Sequence, residues 1–221
     1  MTPPPTGRPR DEARPSAGPW VWDGPSPTSR PCGRRRAAGR LPEAVLFDRD
    51  GTLVVDVPYN GDPGRVTPMP SARAALSALR GRGIAVGVVS NQSGVGRGLL
   101  TRGQVEAVRL SIDALFGPFD VWAVCPHGPD SGCGCRKPAP GLVLAACERL
   151  GADPGRTVVV GDIGADVRAA EAAGARGVLV PTPVTRPDEV AAARETAPDL
   201  LRAVRLILAS DRPVRANGPA R

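Results

Sequence analysis

The sequence predicts an α/β fold, a Rossmann-like three-layer sandwich whose central, mainly parallel sheet lies between two layers of helices. Two patterns lead to this expectation. From Glu43 onward, short Val-rich runs alternate with Ala/Leu/Arg segments of helical spacing, the rhythm of repeated β-α units. Clusters of polar residues also stand directly after the apolar runs, at the carboxyl ends of strands where open α/β sheets hold ligands. At 221 residues there is room for one such domain, expected at 41–210.

Residues 1–40 are rich in Pro, Gly, Ser and Arg without periodicity, and are expected to form a disordered basic tail that cannot offset the entropy of ordering. The first strand is expected at 44–47, where Ala-Val-Leu-Phe runs into Asp48-Arg49-Asp50-Gly51. The segment 54–68, with Pro58, Tyr59, Asn60, Gly61 and Asp62, reads as a long loop of the kind that is commonly functional. It is too short for a cap domain. A helix over 71–80 collects Ala74, Ala75, Leu76 and Leu79 largely on one face behind Pro70, and a strand follows at 84–89. Thr101 is placed to cap a helix over 101–116, before a strand at 120–124. A helix over 138–150 carries Pro138 in its first turn and stops at Gly151. Strand 157–160, helix 165–173 ended by Gly174, strand 177–180 and a long helix over 188–208 complete the domain. Residues 211–221 are expected to be a flexible C-terminal tail.

Net charge is +7, and its location matters more than its size. Residues 1–40 hold eight Arg against Asp11, Glu12 and Asp23, so most of the excess lies in the tail and the domain is close to balanced. No nucleic-acid partner is therefore expected, although the Arg34-Arg35-Arg36 run keeps a polynucleotide reading in view. No apolar run approaches the roughly 18 residues of a membrane span. Without a secretory apolar region at the start, a cytoplasmic monomer is expected.

Four constellations carry chemistry. Asp48 and Asp50 flank the strand end at i, i+2, and the bend that Gly51 permits lets both carboxylates serve one site. Asp48 could hold a cation and attack an electrophile while Asp50 carries a proton. Ser90-Asn91-Gln92-Ser93-Gly94 offers a hydroxyl, amides and backbone N–H groups as a cradle for phosphate oxygens. Lys137 could neutralise a transferring phosphoryl group, and the planar fork of Arg136 could bind a second phosphate or a sugar hydroxyl. Asp162, after Val-Val-Val-Gly, is placed to complete a magnesium site with Asp48 and the Asp50 carbonyl. Asp166 could orient Lys137 or metal-bound water, or simply favour a helix N-terminus. Each cluster alone is also an ordinary polar turn or solvated pair.

The fifth cluster is metal-binding in character. Cys125, His127, Cys133 and Cys135 supply three thiolates and the chain's sole imidazole within eleven residues, a ligand set for a closed structural zinc site. With His127 so committed, no His remains for a Ser-His-Asp or Cys-His mechanism, and nucleophile and proton-transfer roles fall to carboxylates.

In order, D-R-D-G-T, S-N-Q-S-G, R-K-P and G-D-I-G-A-D resemble the motifs of the haloacid dehalogenase superfamily of phosphohydrolases, and the inserted Cys/His loop narrows the likeness to the D-glycero-D-manno-heptose 1,7-bisphosphate phosphatase family, close to bacterial histidinol-phosphatases. The resemblance implies Asp48 as nucleophile forming an aspartyl-phosphate, Asp50 as general acid/base, Ser90 and Lys137 as phosphoryl stabilisers and Arg136 as a substrate-recognition residue. It also implies substrate contacts from Asp56, Tyr59, Asn91, Gln92 and Ser93, magnesium as catalytic cofactor and a small sugar phosphate as substrate. Ile163 stands where the family often has a basic residue, and Val57-Pro58 where it often has His-Gly. Histidinol phosphate, a polynucleotide 3′-phosphate and a non-enzymatic zinc-stabilised binding module are the competing readings.

Overall fold

The computed structural model describes residues 18–24 and 41–209. Six strands form one sheet: β1 (Trp20–Asp23), β2 (Ala44–Phe47), β3 (Ala85–Asn91), β4 (Val121–Cys125), β5 (Thr157–Gly161) and β6 (Arg176–Leu179), in the order β1-β4-β3-β2-β5-β6. All neighbours pair parallel except β1, which lies antiparallel on the outer edge of β4. The order reverses direction at β2, so the crevice beyond the ends of β2, β3 and β5 is the topological switch point of the sheet.

The strands alternate strictly between two cores, because successive side chains leave opposite faces. Val45, Phe47, Val86, Val88, Trp122, Val124, Val158 and Val160 enter one core, shared with Leu76, Ile112 and Val204 of α1 (Ala72–Arg80), α3 (Arg102–Phe116) and α7 (Leu200–Ala209). Leu46, Val89, Val121, Ala123 and Val159 enter the other, against α4 (Gly141–Leu150) and α5 (Gly164–Ala172). This is the three-layer sandwich the sequence predicts. α2 (Ser93–Gly96) is a single turn, and α3 opens on a capping box in which Thr101 and Gln104 satisfy each other's backbone N–H groups. No helix among the described residues is long and apolar enough to cross a membrane.

Two expectations are corrected. The tail is not wholly without structure, since Trp20–Asp23 forms β1; the other residues of 1–40, apart from Gly18, Pro19 and Gly24, lie outside the described residues, as do 210–221. Its order comes from partners remote in sequence. Trp20 is buried, the Arg102 guanidinium lies 5.2 Å from the Trp20 ring and 5.6 Å from the Trp22 ring, and Arg109 lies 5.5 Å from Trp22. The helix expected over 188–208 is two helices, α6 (Pro187–Ala192) and α7. Pro198 disfavours helical backbone at Ala197, and residues 195–197 instead bond along the end of β6, with Leu179 N donating to Glu195 O and Ala197 N to Leu179 O.

Candidate active site

Asp48 follows the last residue of β2, and its backbone N–H still bonds to Val160 O of β5. The chain then turns sharply through Gly51 at φ +76°, a left-handed conformation that L side chains avoid. A Cβ at this position would also stand 2.4 Å from Asp162 Oδ2. Glycine here lets the Asp48-Asp50 turn and the Asp162 turn meet. Gly161 serves the neighbouring turn in the same way, since a Cβ there would lie 2.3 Å from the Asp166 carboxylate.

Two carboxylates converge on one ammonium, with a third close by. Lys137 Nζ lies 2.5 Å from Asp48 Oδ1 and 2.6 Å from Asp166 Oδ1, and donates to Val89 O at 2.8 Å. Asp48, Asp162, Asp166 and Lys137 are all buried. Burial pushes the Asp48 carboxyl well above its ordinary pKa, against the opposing pull of Lys137, and burial with the neighbouring Asp166 charge pushes Asp162 up to about 7. For Lys137, burial works against the ammonium, but the Asp166 and Asp48 carboxylates outweigh it and the net direction is upward. One ammonium among three buried carboxylates leaves negative charge in excess. The carboxylate oxygens of Asp48, Asp162 and Asp166 lie within 4.8 Å of one another, a hard-oxygen set that fits a divalent cation.

The segment bearing Lys137 is fixed by Asn91 at the end of β3. Asn91 Nδ2 donates to Lys137 O and Asn91 Oδ1 accepts from Lys137 N, both at 3.1 Å, so the amide side chain pairs with that backbone as a strand would. Gln92 is likewise engaged inside the protein, with Nε2 donating to Asp50 Oδ2 at 3.0 Å and to Ser90 Oγ at 2.9 Å. These bonds engage both amides within the protein and hold the site together.

Arg49 is the site residue that sequence reasoning missed. It is buried, its Nε lies 2.9 and 3.0 Å from the two Asp50 carboxylate oxygens, and its Nη2 bonds Gln92 Oε1 at 3.1 Å. The available signal was an Arg between two Asp residues at the end of a buried strand, which cannot stay buried without a carboxylate or carbonyl partner.

Of the remaining expected residues, Ser90 is buried at the end of β3 and Ser93 opens α2. Asp56 is exposed, and its carboxyl is raised by partial burial and by the Asp50 charge, which puts it at the border of the site. Tyr59 is exposed, its hydroxyl accepting from Arg97 Nη1 at 2.6 Å with the guanidinium 5.8 Å from the ring. Arg136 Nη1 lies 3.5 Å from His127 O, joining it to the Cys/His loop.

That loop brings its four expected residues together. Sulfur–sulfur distances among Cys125, Cys133 and Cys135 are 3.3, 3.6 and 3.7 Å, and His127 Nδ1 is 3.2 Å from Cys135 Sγ and 3.5 Å from Cys125 Sγ. Tetrahedral ligands at bonds of roughly 2.3 Å stand somewhat under 4 Å apart, so the cluster is compatible with zinc.

A HAD-hydrolase-like family model matches residues 134–204, the stretch carrying Lys137, Asp162 and Asp166. The D-glycero-beta-D-manno-heptose-1,7-bisphosphate 7-phosphatase of Pseudomonas aeruginosa is 36% identical over 143 residues, 62% of this chain and 80% of its own length. That of Escherichia coli K12 is 36% identical over 163 residues, 67% and 85% of the two chains. The chain belongs to the family of these haloacid dehalogenase-like phosphatases. Among solved structures, the D,D-heptose 1,7-bisphosphate phosphatase of Bordetella bronchiseptica complexed with magnesium and phosphate aligns with a TM-score of 0.67 at 29% identity, covering 75% of this chain and 98% of that one. Its counterpart from Burkholderia thailandensis aligns at 0.56 and 26% identity, covering 76% and 99%. As a haloacid dehalogenase-like phosphatase, the protein is a phosphoric monoester hydrolase.

Proposed function

We propose that the protein removes a phosphate from a small sugar phosphate through an aspartyl-phosphate intermediate, with the 7-phosphate of D-glycero-D-manno-heptose 1,7-bisphosphate as its substrate. The observation that carries this reading is the convergence of Asp48, Asp162 and Asp166 at the switch point of the sheet, with Lys137 paired to Asp48 and Asp166. The names of the relatives support the heptose, and magnesium with phosphate in the Bordetella relative supports the cofactor.

In this reading Asp48 attacks phosphorus in line, the bond to the leaving alcohol oxygen breaks, and Asp50 gives that oxygen its proton. Asp50 then takes a proton from water, whose oxygen attacks phosphorus and releases Asp48 and inorganic phosphate. Lys137 neutralises charge on the phosphoryl oxygens, and Ser90 donates to one of them. Asp48, the Asp50 carbonyl and Asp162 would hold magnesium, with Asp166 beside them. Bound there, the ion supplies Lewis-acid neutralisation of the phosphoryl group. Cys125, His127, Cys133 and Cys135 would hold a structural zinc, which stiffens the loop leading into Arg136 and Lys137. Arg136, Asp56, Tyr59 and Ser93 would line the path of the sugar.

Phosphate release is to be measured with heptose 1,7-bisphosphate, histidinol phosphate and a 3′-phosphorylated oligonucleotide, with Asp48→Asn as the inactive control. Preference for the heptose of about 100-fold or more in kcat/KM is expected, equivalent to about 2.7 kcal/mol of differential transition-state binding. Preference for either competitor overturns the substrate, and full activity in Asp48→Asn overturns the mechanism.

A further inference from the structure

Gln92 joins two groups that the proposed reaction uses at different atoms. Arginine has no acceptor, so the contact between Arg49 Nη2 and Gln92 Oε1 at 3.1 Å fixes which way the amide faces. Its oxygen points to Arg49, and its NH2 group is thereby turned to Asp50 Oδ2 at 3.0 Å and Ser90 Oγ at 2.9 Å. Ser90, accepting from the amide, keeps its own O–H proton to give elsewhere. The Asp50 carboxyl is loaded unequally. Oδ2 accepts from Arg49 Nε and Gln92 Nε2, both at 3.0 Å, with Arg49 Nη2 in ionic contact at 2.9 Å, while Oδ1 accepts from Arg49 Nε alone among the described residues, at 2.9 Å. The donors are buried, whereas the Asp50 side chain is about a quarter exposed. The clamp therefore grips the carboxyl from the protein side and leaves Oδ1 the less occupied oxygen.

We propose that Gln92, oriented by Arg49, is a positioning residue that presents Asp50 Oδ1 to the leaving-group oxygen and sets the Ser90 hydroxyl as a donor to the phosphoryl group. This rests on the phosphatase reading, with Asp50 as the proton donor. Gln92→Glu keeps the shape but reverses the polarity. A carboxylate there repels Asp50 and takes the Ser90 proton for itself. Gln92→Met keeps the length and removes every side-chain hydrogen bond.

The test compares kcat/KM for an alkyl ester, glucose 6-phosphate, with that for p-nitrophenyl phosphate. The nitrophenolate leaves without a proton, and kcat/KM reports steps only through formation of the aspartyl-phosphate. General-acid assistance is typically worth 10²- to 10⁴-fold. Both variants should therefore lower the alkyl-to-aryl ratio by about 10-fold or more, Glu more than Met. Equal losses on the two esters, or no loss, overturn the inference, because a packing role would not distinguish leaving groups. Should Gln92→Glu fail to fold, Gln92→Met and Arg49→Lys give the same comparison. Wild-type protein that releases phosphate from neither ester nor from heptose 1,7-bisphosphate overturns the phosphatase reading beneath it.

Discussion

Replacing Lys137 by Met removes the one ammonium that lies among the buried carboxylates of the site. The side chain is 3% exposed and its two ionic partners, Asp48 and Asp166, are 11% and 1% exposed, so neither can be rehydrated without moving the turns that carry them. Removing one member of a buried ion pair typically costs about 3–5 kcal/mol, most of it the penalty on the charge left behind. With a urea m-value of about 3 kcal/mol per molar, the midpoint should fall by roughly 1–1.7 M. Urea unfolding of the metal-free proteins, followed by tryptophan fluorescence and by circular dichroism, measures it. Adding Asp166→Asn to Lys137→Met removes one of the stranded charges and should restore about 1–3 kcal/mol, a non-additivity expected only of groups in contact. A midpoint unchanged within about 0.2 M, or a double variant whose losses simply add, refutes the argument that Lys137 holds the site's excess negative charge in place.

Further outcomes follow from other contacts. Gly51→Ala should cost at least about 1–2 kcal/mol through its left-handed backbone alone, and should also abolish most activity by displacing Asp162; thermal melts and phosphate release check both. Purified protein should carry about one zinc per chain by elemental analysis, and stripping it with a chelator should lower Tm, whereas a metal-free chain of unchanged Tm would refute the Cys/His site. Trp20→Ala should destabilise by about 2–4 kcal/mol and leave kcat/KM nearly intact, because β1 lies three strands, roughly 14 Å, from β2; urea titration and a kinetic assay separate the two effects.

Sequence reasoning reached the features whose causes are local. The apolar run of β2 ending in Asp48, the Thr101 cap and the tight Cys/His spacing each declare themselves within a few residues. What it missed depends on partners far along the chain. β1 exists because Arg102 and Arg109, some eighty residues away, lie against its two Trp rings; composition around Trp20 argues for the opposite. The division of the last helix follows from a bridge to Leu179 that no periodicity announces. Asn91 and Gln92 show the same limit inside the site. An amide beside a phosphate-type turn reads as a ligand contact, and only the positions of Lys137 and Asp50, 46 and 42 residues away, reveal that it also braces the site.

The antiparallel pairing of Trp20–Asp23 with Val121–Val124 also bears on solubility. A parallel sheet that ended at β4 would display a row of unpaired amides and carbonyls, a template onto which another chain could add. Starting expression at Leu41, where the nearly neutral body begins, would keep every residue of the proposed chemistry and remove that cover. Such a truncated protein is expected to be active yet prone to self-association, visible as concentration-dependent light scattering that the chain retaining β1 does not show.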